Sequence, residues 1–250
     1  MRASHAESNR QTDPRTVPTT LPELVLVVPV YNEEDAIVPV LEEWRTELER
    51  TVGKGRFAIL VIDDGSKDAT PARLAALAWP ELTVHRHANR GHGQSCLVGY
   101  TMAAAMGATF VFQIDSDGQC DPAGFAGVWE RRNNVAAVYG RRTSRDDGAA
   151  RRLISLILRL SLKVARGTRL NDTNVPFRLY RAKMAAAAAA RVPEDFNLAN
   201  IAMELLLEPE GFEEVPIHFR DRTGGHPTVS MWGFAPKAVR LHKDVFRLGK

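Results

Sequence analysis

Short apolar segments alternate with segments of helical periodicity along the first half of the chain. Residues 24–30 are continuously apolar, which is typical of a strand buried on both faces of a sheet. Residues 34–50 carry apolar side chains at helical spacing, which predicts an amphipathic helix. The alternation repeats and predicts strands at 57–62, 82–87, 109–114 and 135–139, with helices at 68–78, 93–106 and 122–132.

This order predicts an α/β fold in which one mainly parallel sheet carries helices on both faces. In such sheets, ligands bind beyond the carboxyl ends of the strands, where the strand order reverses. The residues that directly follow the predicted strands are therefore the candidates for chemistry.

The pattern changes after residue 140. It predicts a basic helix at 148–166, a strand at 174–180, helices at 181–191 and 195–207, a strand at 212–219 and an amphipathic basic helix near 230–248. Residues 1–21 are polar and rich in proline and threonine, which predicts a disordered arm. We therefore divide the chain into an arm at 1–21, one domain at 22–228 and a basic C-terminal helix at 229–250.

The net charge of +3 conceals an uneven distribution of charge. Residues 1–140 contain 13 basic and 18 acidic side chains, whereas residues 141–191 contain 13 basic and 3 acidic ones. The positive charge of the second segment predicts an anionic partner there. Nucleic acid is disfavoured as that partner, because aromatic residues are not interleaved with the basic ones.

Two cysteines, Cys96 and Cys120, are too few for a disulfide framework and predict a reducing compartment. The sequence shows no secretory leader and no run of about 18 apolar residues that would span a membrane. We therefore expect a cytoplasmic protein. The basic segments add the option of peripheral contact with the inner face of an anionic membrane.

Asp115-Ser116-Asp117 directly follows the predicted strand at 109–114. Two carboxylates one residue apart at a strand end can bind one divalent cation and leave coordination positions for substrate phosphates. Gln119 is a further oxygen donor close by. The alternative is a solvated turn in which an aspartate caps the backbone.

Three other strand ends carry polar or glycine-rich motifs. In Asp63-Asp64-Gly65-Ser66 a carboxylate can accept hydrogen bonds from a nucleobase or ribose, although turn formation and helix capping explain the same residues. Pro29-Val30-Tyr31-Asn32-Glu33-Glu34 has the same two explanations. Arg90-Gly91-His92-Gly93 can let the backbone approach a diphosphate at a helix N-terminus, and its histidine has no zinc-like spacing.

In this order and at these spacings, the motifs resemble the inverting family 2 glycosyltransferases. Their GT-A fold is a Rossmann-like nucleotide-sugar-binding fold, here with a C-terminal acceptor-side extension. The likeness is strongest to the branch that transfers sugars to dolichol or polyprenyl phosphate, and it covers about residues 22–230. Further matching segments are Tyr139-Gly140-Arg141-Arg142, Asp172-Thr173, Phe177-Arg178-Leu179-Tyr180-Arg181 and Glu214-Val215-Pro216.

The resemblance implies a nucleotide-sugar donor and a Mg²⁺ or Mn²⁺ ion, which stabilises the charge that develops on the diphosphate leaving group. The implied metal ligands are Asp115, Asp117 and Gln119. The implied donor-binding residues are Pro29, Tyr31, Asn32, Glu33, Asp63, Asp64, Gly91, Gly93, Asp115 and Ser116.

The basic second segment would then meet the acceptor. For any one arginine, a solvated face or contact with anionic lipid is the simpler explanation, but the whole cluster favours an anionic partner. An acceptor hydroxyl needs a general base, whereas a phosphate oxyanion does not. Asp121 and Asp172 are the candidate bases, and Asp172 with Asp117 forms the expected catalytic pair. The acceptor-binding residues that the resemblance implies are Arg142, Arg151, Ser155, Arg178 and Arg222.

We therefore expect a metal-dependent glycosyltransferase that moves a hexose from a UDP- or GDP-sugar to polyprenyl phosphate. The lack of transmembrane helices, the sequence at 173–176 and Cys120 depart from the family pattern, and they keep open a soluble hydroxyl acceptor. A non-catalytic nucleotide-sugar-binding protein is the alternative from another class. The intact pair Asp115 and Asp117 argues against it.

Overall fold

The computed structural model describes residues 21–143, 175–194, 196 and 199–220. Within these ranges, the chain forms one seven-stranded sheet flanked by helices. The strands are β1 (Leu24–Val30), β2 (Phe57–Asp63), β3 (Leu82–Arg86), β4 (Phe110–Ile114), β5 (Ala137–Arg142), β6 (Phe177–Arg181) and β7 (Phe212–Ile217). The α-helices are α1 (Ile37–Thr51), α2 (Thr70–Ala75), α3 (His92–Ala105), α4 (Phe125–Glu130), α5 (Ala182–Ala189) and α6 (Ala199–Leu207).

The strand order is β3-β2-β1-β4-β6-β5-β7. Strands β3, β2, β1 and β4 are parallel to one another, and β7 is parallel to β5. Strand β6 runs antiparallel to both of its neighbours, β4 and β5. The mainly parallel α/β architecture predicted from the sequence is therefore confirmed.

The strands β1, β2 and β4 are almost completely buried within the sheet, which explains their apolar runs. Val25, Val27 and Val111 face one core, which is closed by α3, α5 and α6. Leu26, Phe112 and their neighbours face the other core, which is closed by α1 and α4. All seven residues of β1 are buried, and this strand contributes side chains to both cores.

Two helices begin later than their sequence patterns predicted. Helix α1 begins at Ile37 and not at Glu34, and α2 covers only Thr70–Ala75. The polar residues that resemble helix starts belong instead to the loops after β1 and β2. Side chains in each loop hydrogen-bond to the backbone of the other loop, and these bonds replace helical ones.

Most of the polar strand ends lie at one edge of the sheet, where β6 begins. Ile114 at the end of β4 pairs with Phe177 at the beginning of β6. Strand β5 runs back toward that same edge and ends at Arg142, which pairs with Ile217 at the end of β7. The carboxyl ends of β1, β2, β4, β5 and β7 therefore lie along one edge, where ligands bind in sheets of this type.

The predicted arm at 1–21, apart from its last residue, lies outside the described residues, as do the basic helix at 148–166 and the C-terminal helix at 229–250. The predicted division of the chain therefore stays a prediction. In the part of the chain that the structure describes, no helix has both the length and the apolarity that a membrane crossing requires.

Candidate functional site

Asp115 and Asp117 lie just beyond the carboxyl end of β4, next to the point where the strand order reverses between β1 and β4. Gln113 Nε2 donates a hydrogen bond to Asp115 Oδ1 at 3.1 Å. Asp117 Oδ1 accepts one from the backbone N–H of Gln119 at 3.1 Å, which closes a tight turn. Burial raises the pKa of Asp115, and the nearby charge of Asp117 raises it further.

The loops after β1 and β2 are joined by reciprocal hydrogen bonds. The backbone N–H of Asn32 donates to Ser66 Oγ at 3.0 Å, and Asn32 Oδ1 accepts from the N–H of Lys67 at 2.8 Å. The N–H of Glu33 donates to Thr70 Oγ1 at 2.9 Å. Asn32 has a φ of 54°, a left-handed conformation that asparagine tolerates better than most residues. These loops therefore form one rigid unit beside Tyr31, whose side chain is exposed.

Asp63 ends β2 and is almost completely buried. Its Oδ1 accepts a hydrogen bond from the N–H of Ser66 at 2.8 Å, and its Oδ2 lies 3.2 Å from Arg86 Nε. Arg86 ends β3 directly opposite Asp63 and also donates to the carbonyl of Ser66 at 2.7 Å. Sequence reasoning missed Arg86, although its place at the end of a strand next to an aspartate was visible in the alternation.

Asp64 holds the glycine-rich loop that precedes α3. Its Oδ1 accepts from the N–H of Arg90 at 2.7 Å, and its Oδ2 accepts from the N–H of Gly91 at 2.9 Å. Gly91 has a φ of 90°, which favours glycine. Because the backbone engages both oxygens of this buried carboxylate, Asp64 shapes the loop, and the donor contact expected from the sequence stays a prediction.

His92 begins α3 and faces the carboxylates of the β4 loop. Its Nε2 lies 3.4 Å from Asp115 Oδ1 and 3.6 Å from Cys96 Sγ. Interactions with Cys96, Asp115 and Asp64 raise the pKa of His92 to about 10. Histidine spacing in the sequence predicted no metal-binding role for His92. Its contact with Asp115 was not predicted, because the two residues are distant in the sequence.

The segment after β7 is hydrogen-bonded to the loop that carries Asp115 and Asp117. The N–H of Arg220 donates to the carbonyl of Gln119 at 2.9 Å, and Gln119 Nε2 reaches the carbonyl of Arg220 at 3.4 Å. The guanidinium of Arg220 donates to Asp121 Oδ1 at 3.0 Å and to Glu43 Oε2 at 2.7 Å. Gln119 therefore contacts this segment as well as the turn at Asp117.

Asp121 is an unsuitable general base in this structure. It accepts a hydrogen bond from the N–H of Ala123 at 3.1 Å and caps the short helical turn that begins at Pro122. Burial raises its pKa, but the bonds from Ala123 and Arg220 outweigh burial, so the pKa of Asp121 is lowered overall. A lowered pKa weakens a carboxylate as a proton acceptor.

Arg178 corrects one expectation from the sequence. Its side chain is fully buried and forms an ion pair with Glu204 of α6 at 2.6 Å. It also donates to the carbonyls of Val175 and Asn200, at 2.6 Å and 3.2 Å. With no exposed surface, Arg178 is a core residue and not a direct acceptor contact, because the sequence does not show which strand face it occupies.

Arg142 keeps a position suited to an anion. Its guanidinium lies over the ring of Phe219, 4.4 Å from the ring centroid, in a cation–π contact. Its positive charge acts on Asp115 and opposes the rise in the pKa of that carboxyl. The other acceptor candidates, Arg151, Ser155 and Arg222, and the candidate base Asp172 lie outside the described residues.

The comparison with known families gives a result that agrees with this geometry. Residues 25–190 match the family described as "Glycosyl transferase family 2", a match that covers well over half of the chain. The chain belongs to glycosyl transferase family 2.

Curated members of the family share part of this sequence. An undecaprenyl-phosphate 4-deoxy-4-formamido-L-arabinose transferase from Pseudomonas paraeruginosa is 32% identical over 171 residues, which are 66% of this chain and 49% of that protein. A protein of the same name from Pectobacterium atrosepticum is 29% identical over 167 residues, 65% of this chain and 50% of that protein. The family 2 chain described here therefore spans about half the length of the curated relatives it matches.

Solved structures confirm the GT-A fold of this family 2 chain. Glucosyl-3-phosphoglycerate synthase from Mycobacterium tuberculosis, in complex with Mn²⁺, UDP-glucose and phosphoglyceric acid, superposes with a TM-score of 0.63. The two share 17% identity, and the match covers 95% of this chain and 86% of that one. A complex of the same synthase with Mn²⁺, UDP and phosphoglyceric acid gives a TM-score of 0.65 at 16% identity, with 91% and 79% covered.

The donor set of this family 2 chain fits a divalent ion that is completed by substrate. Among the residues described, no three or more His, Cys, Asp and Glu side chains come together in a way that would hold a metal. If a divalent ion binds here, Asp115 and Asp117 would supply the carboxylates of the protein, and diphosphate and water oxygens would complete the ligand set that a hard cation prefers. Such an ion would stabilise the negative charge of the leaving diphosphate.

Proposed function

We propose that this family 2 chain transfers a sugar from a nucleotide sugar to a phosphate-bearing acceptor, with polyprenyl phosphate as the leading candidate. The observation that carries the proposal is the placement of Asp115 and Asp117. They lie at the strand-order reversal between β1 and β4, beside the rigid loops after β1 and β2. This edge offers a nucleotide site and a diphosphate site side by side.

On the donor side, the nucleoside would lie across the loops after β1 and β2. Exposed Tyr31 offers a ring for the nucleobase, and the pair of Asp63 and Arg86 offers hydrogen-bonding groups behind it. A uridine donor with Mn²⁺ is supported by the ligands of the structural neighbours. The sugar is not restricted to a hexose, because the curated relatives are named for a 4-deoxy-4-formamido-L-arabinose group.

On the acceptor side, Arg142 would attract the incoming phosphate. Phe219 holds its guanidinium within electrostatic reach of Asp115, and therefore near the reacting diphosphate. A phosphate oxyanion attacks without a strong general base. The low pKa of Asp121 fits such an acceptor, because the only described candidate base is a weak one.

A soluble phosphorylated hydroxyl compound is the second candidate acceptor. The observation in its favour is the match to structures that hold phosphoglyceric acid, which cover nearly all of this chain. Such an acceptor also carries an anion for Arg142, but its hydroxyl needs a base. Asp172 is the residue that we propose for that role.

The test is a donor-and-acceptor screen read by mass spectrometry. UDP- and GDP-sugars are combined with polyprenyl phosphate in detergent or with soluble phosphorylated compounds, in Mn²⁺ or Mg²⁺. We expect a product that carries the added sugar on polyprenyl phosphate, and loss of that product in the Asp117→Ala variant. Full turnover by Asp117→Ala would contradict the metal role, and binding of donors without turnover on any acceptor would support a non-catalytic protein.

The acceptor assignment has its own control in a double variant, Arg142→Ala with Arg151→Ala. We expect it to lose transfer to polyprenyl phosphate and to keep its affinity for the donor. Unchanged affinity for polyprenyl phosphate in this variant would contradict an arginine-bound lipid phosphate and favour the soluble acceptor.

A further inference from the structure

Gln113 is a buried polar side chain in the middle of the apolar strand β4. The side chain is fully buried, and the other four residues of the strand are apolar. Buried amides persist in native proteins where they are hydrogen-bonded. Gln113 lies two residues before Asp115, so both side chains project to the same side of the extended chain.

The amide of Gln113 has one orientation available to it. Its Nε2 lies 3.1 Å from Asp115 Oδ1, and its Oε1 lies 3.4 Å from the hydroxyl of Tyr100. A carboxylate only accepts hydrogen bonds, so the amide nitrogen faces Asp115 and the amide oxygen accepts from Tyr100. Burial, more than any other effect, raises the pKa of Tyr100 well above its usual value, so the hydroxyl keeps its proton and stays a donor.

Tyr100 is itself fixed by the core. Its ring packs edge-on against Tyr180, with 5.5 Å between the centroids. The hydroxyl of Tyr180 accepts from Arg178 Nη1 at 3.4 Å, and Arg178 pairs with Glu204. A continuous set of buried contacts therefore runs from α6 through β6 and α3 to the amide of Gln113.

Two groups approach the same oxygen of Asp115. Gln113 Nε2 and His92 Nε2 lie 3.1 Å and 3.4 Å from Oδ1. Hydrogen bonds to one oxygen of a metal-binding carboxylate fix its orientation and the direction of the other oxygen.

We propose that Gln113 is a positioning residue that fixes the carboxylate of Asp115, so that Oδ2 faces the divalent ion and the diphosphate. The inference rests on the proposed function, because it assigns a partner to one of the two proposed metal ligands. Gln113 acts through Asp115 and touches neither the donor nor the acceptor.

The test measures metal binding and needs no turnover. The Gln113→Leu variant has a side chain of similar size without the amide. Free Mn²⁺ is measured by electron paramagnetic resonance while the full-length chain is titrated in saturating UDP. Loss of a hydrogen-bond partner behind a metal ligand weakens metal binding by about 10- to 100-fold, and we expect Gln113→Leu to fall in this range.

Phe112→Leu is the matched control for loss of stability. Phe112 is the preceding residue of β4, is equally buried and packs against Trp44, Phe125 and Phe177 on the opposite face. We expect Phe112→Leu to lower the melting temperature and to keep the Mn²⁺ affinity of the wild type. Tyr100→Phe removes only the hydrogen bond to the amide oxygen of Gln113. We expect its Mn²⁺ affinity to lie between those of the wild type and Gln113→Leu.

A Mn²⁺ affinity of Gln113→Leu that equals that of the wild type, or falls no further than that of Phe112→Leu, overturns the proposal. If Gln113→Leu does not fold, Gln113→Asn serves in its place, since it keeps an amide but cannot reach both partners. Failure of the wild type to bind Mn²⁺ with UDP would instead contradict the proposed function itself, so the two failures are distinguishable.

Discussion

Adjacent residues of the same type have different roles in this site. Asp63 and Asp64 follow the same strand, yet Asp63 pairs with Arg86 and Asp64 holds the backbone of the next loop. The direction of each side chain decides the role, because successive residues of a strand point to opposite faces. The sequence predicted a donor contact for both carboxylates, but it could not separate these roles, since Arg86, Arg90 and Gly91 come from later segments of the chain.

The role of Asp64 gives a prediction at this scale. Asp64→Ala removes two charge-assisted hydrogen bonds to backbone N–H groups, and such bonds are worth about 1.5–3 kcal/mol each. We expect the free energy of unfolding in urea to fall by at least about 2 kcal/mol, and the donor KM to rise because the Gly91 loop loosens. Asp35→Ala, which removes an exposed carboxylate beside the site, is the control and should leave both quantities unchanged. An unfolding free energy equal to that of the wild type would refute the role of Asp64.

At the scale of elements, close packing of α3 on β1 depends on a glycine. A Cβ atom on Gly99 would overlap Cγ1 of Val27, a fully buried residue of the central strand. Overpacking of a core costs about 1–3 kcal/mol, so Gly99→Ala should destabilise the protein by that amount. Gly127→Ala in α4 is the matched control, because its Cβ would meet Val215 at an ordinary 3.4 Å. Equal melting temperatures of the two variants would contradict the packing of α3 described here.

The ion pair between β6 and α6 is a second test of how elements are joined. Glu204→Ala removes the partner of a fully buried guanidinium, and the loss of one partner of a buried ion pair costs about 3–5 kcal/mol. We expect a correspondingly lower midpoint of urea unfolding. A change no larger than that of Glu130→Ala, an exposed control in α4, would show that the pair does not join these elements.

The strands and helices were more predictable from the sequence than the hydrogen-bond and ion-pair partners of individual side chains. All seven described strands were expected from the sequence, most clearly β1, β2 and β4, because nearly complete burial leaves an apolar run in the sequence. The helix starts near Glu34 and Asp68 were wrong because these side chains bond across two loops. Arg178 was assigned to acceptor binding because its partner Glu204 lies on a later helix, where the sequence does not reveal the ion pair. Pairings of this kind depend on tertiary contacts that no local pattern encodes.

At the scale of the whole molecule, one edge of the sheet carries both acidic and basic side chains. The carboxylates at the ends of β2 and β4 lie on the edge where β5 ends with Arg142 and where Arg220 follows β7. Strands β5 and β7 both end at this edge, because they run antiparallel to β6, which begins there. In the proposed function, the uneven distribution of charge along the sequence would supply neighbouring sites for two anions.

In the proposed function, donor binding depends on a divalent ion held between this edge and a diphosphate. The decisive measurement is calorimetric titration of UDP into the full-length chain, with Mn²⁺ and then with EDTA, for the wild type and Asp117→Ala. We expect the wild type to bind UDP at least about tenfold more tightly with Mn²⁺, and Asp117→Ala to lose that difference. Equal affinity of the wild type for UDP with Mn²⁺ and with EDTA would contradict the account.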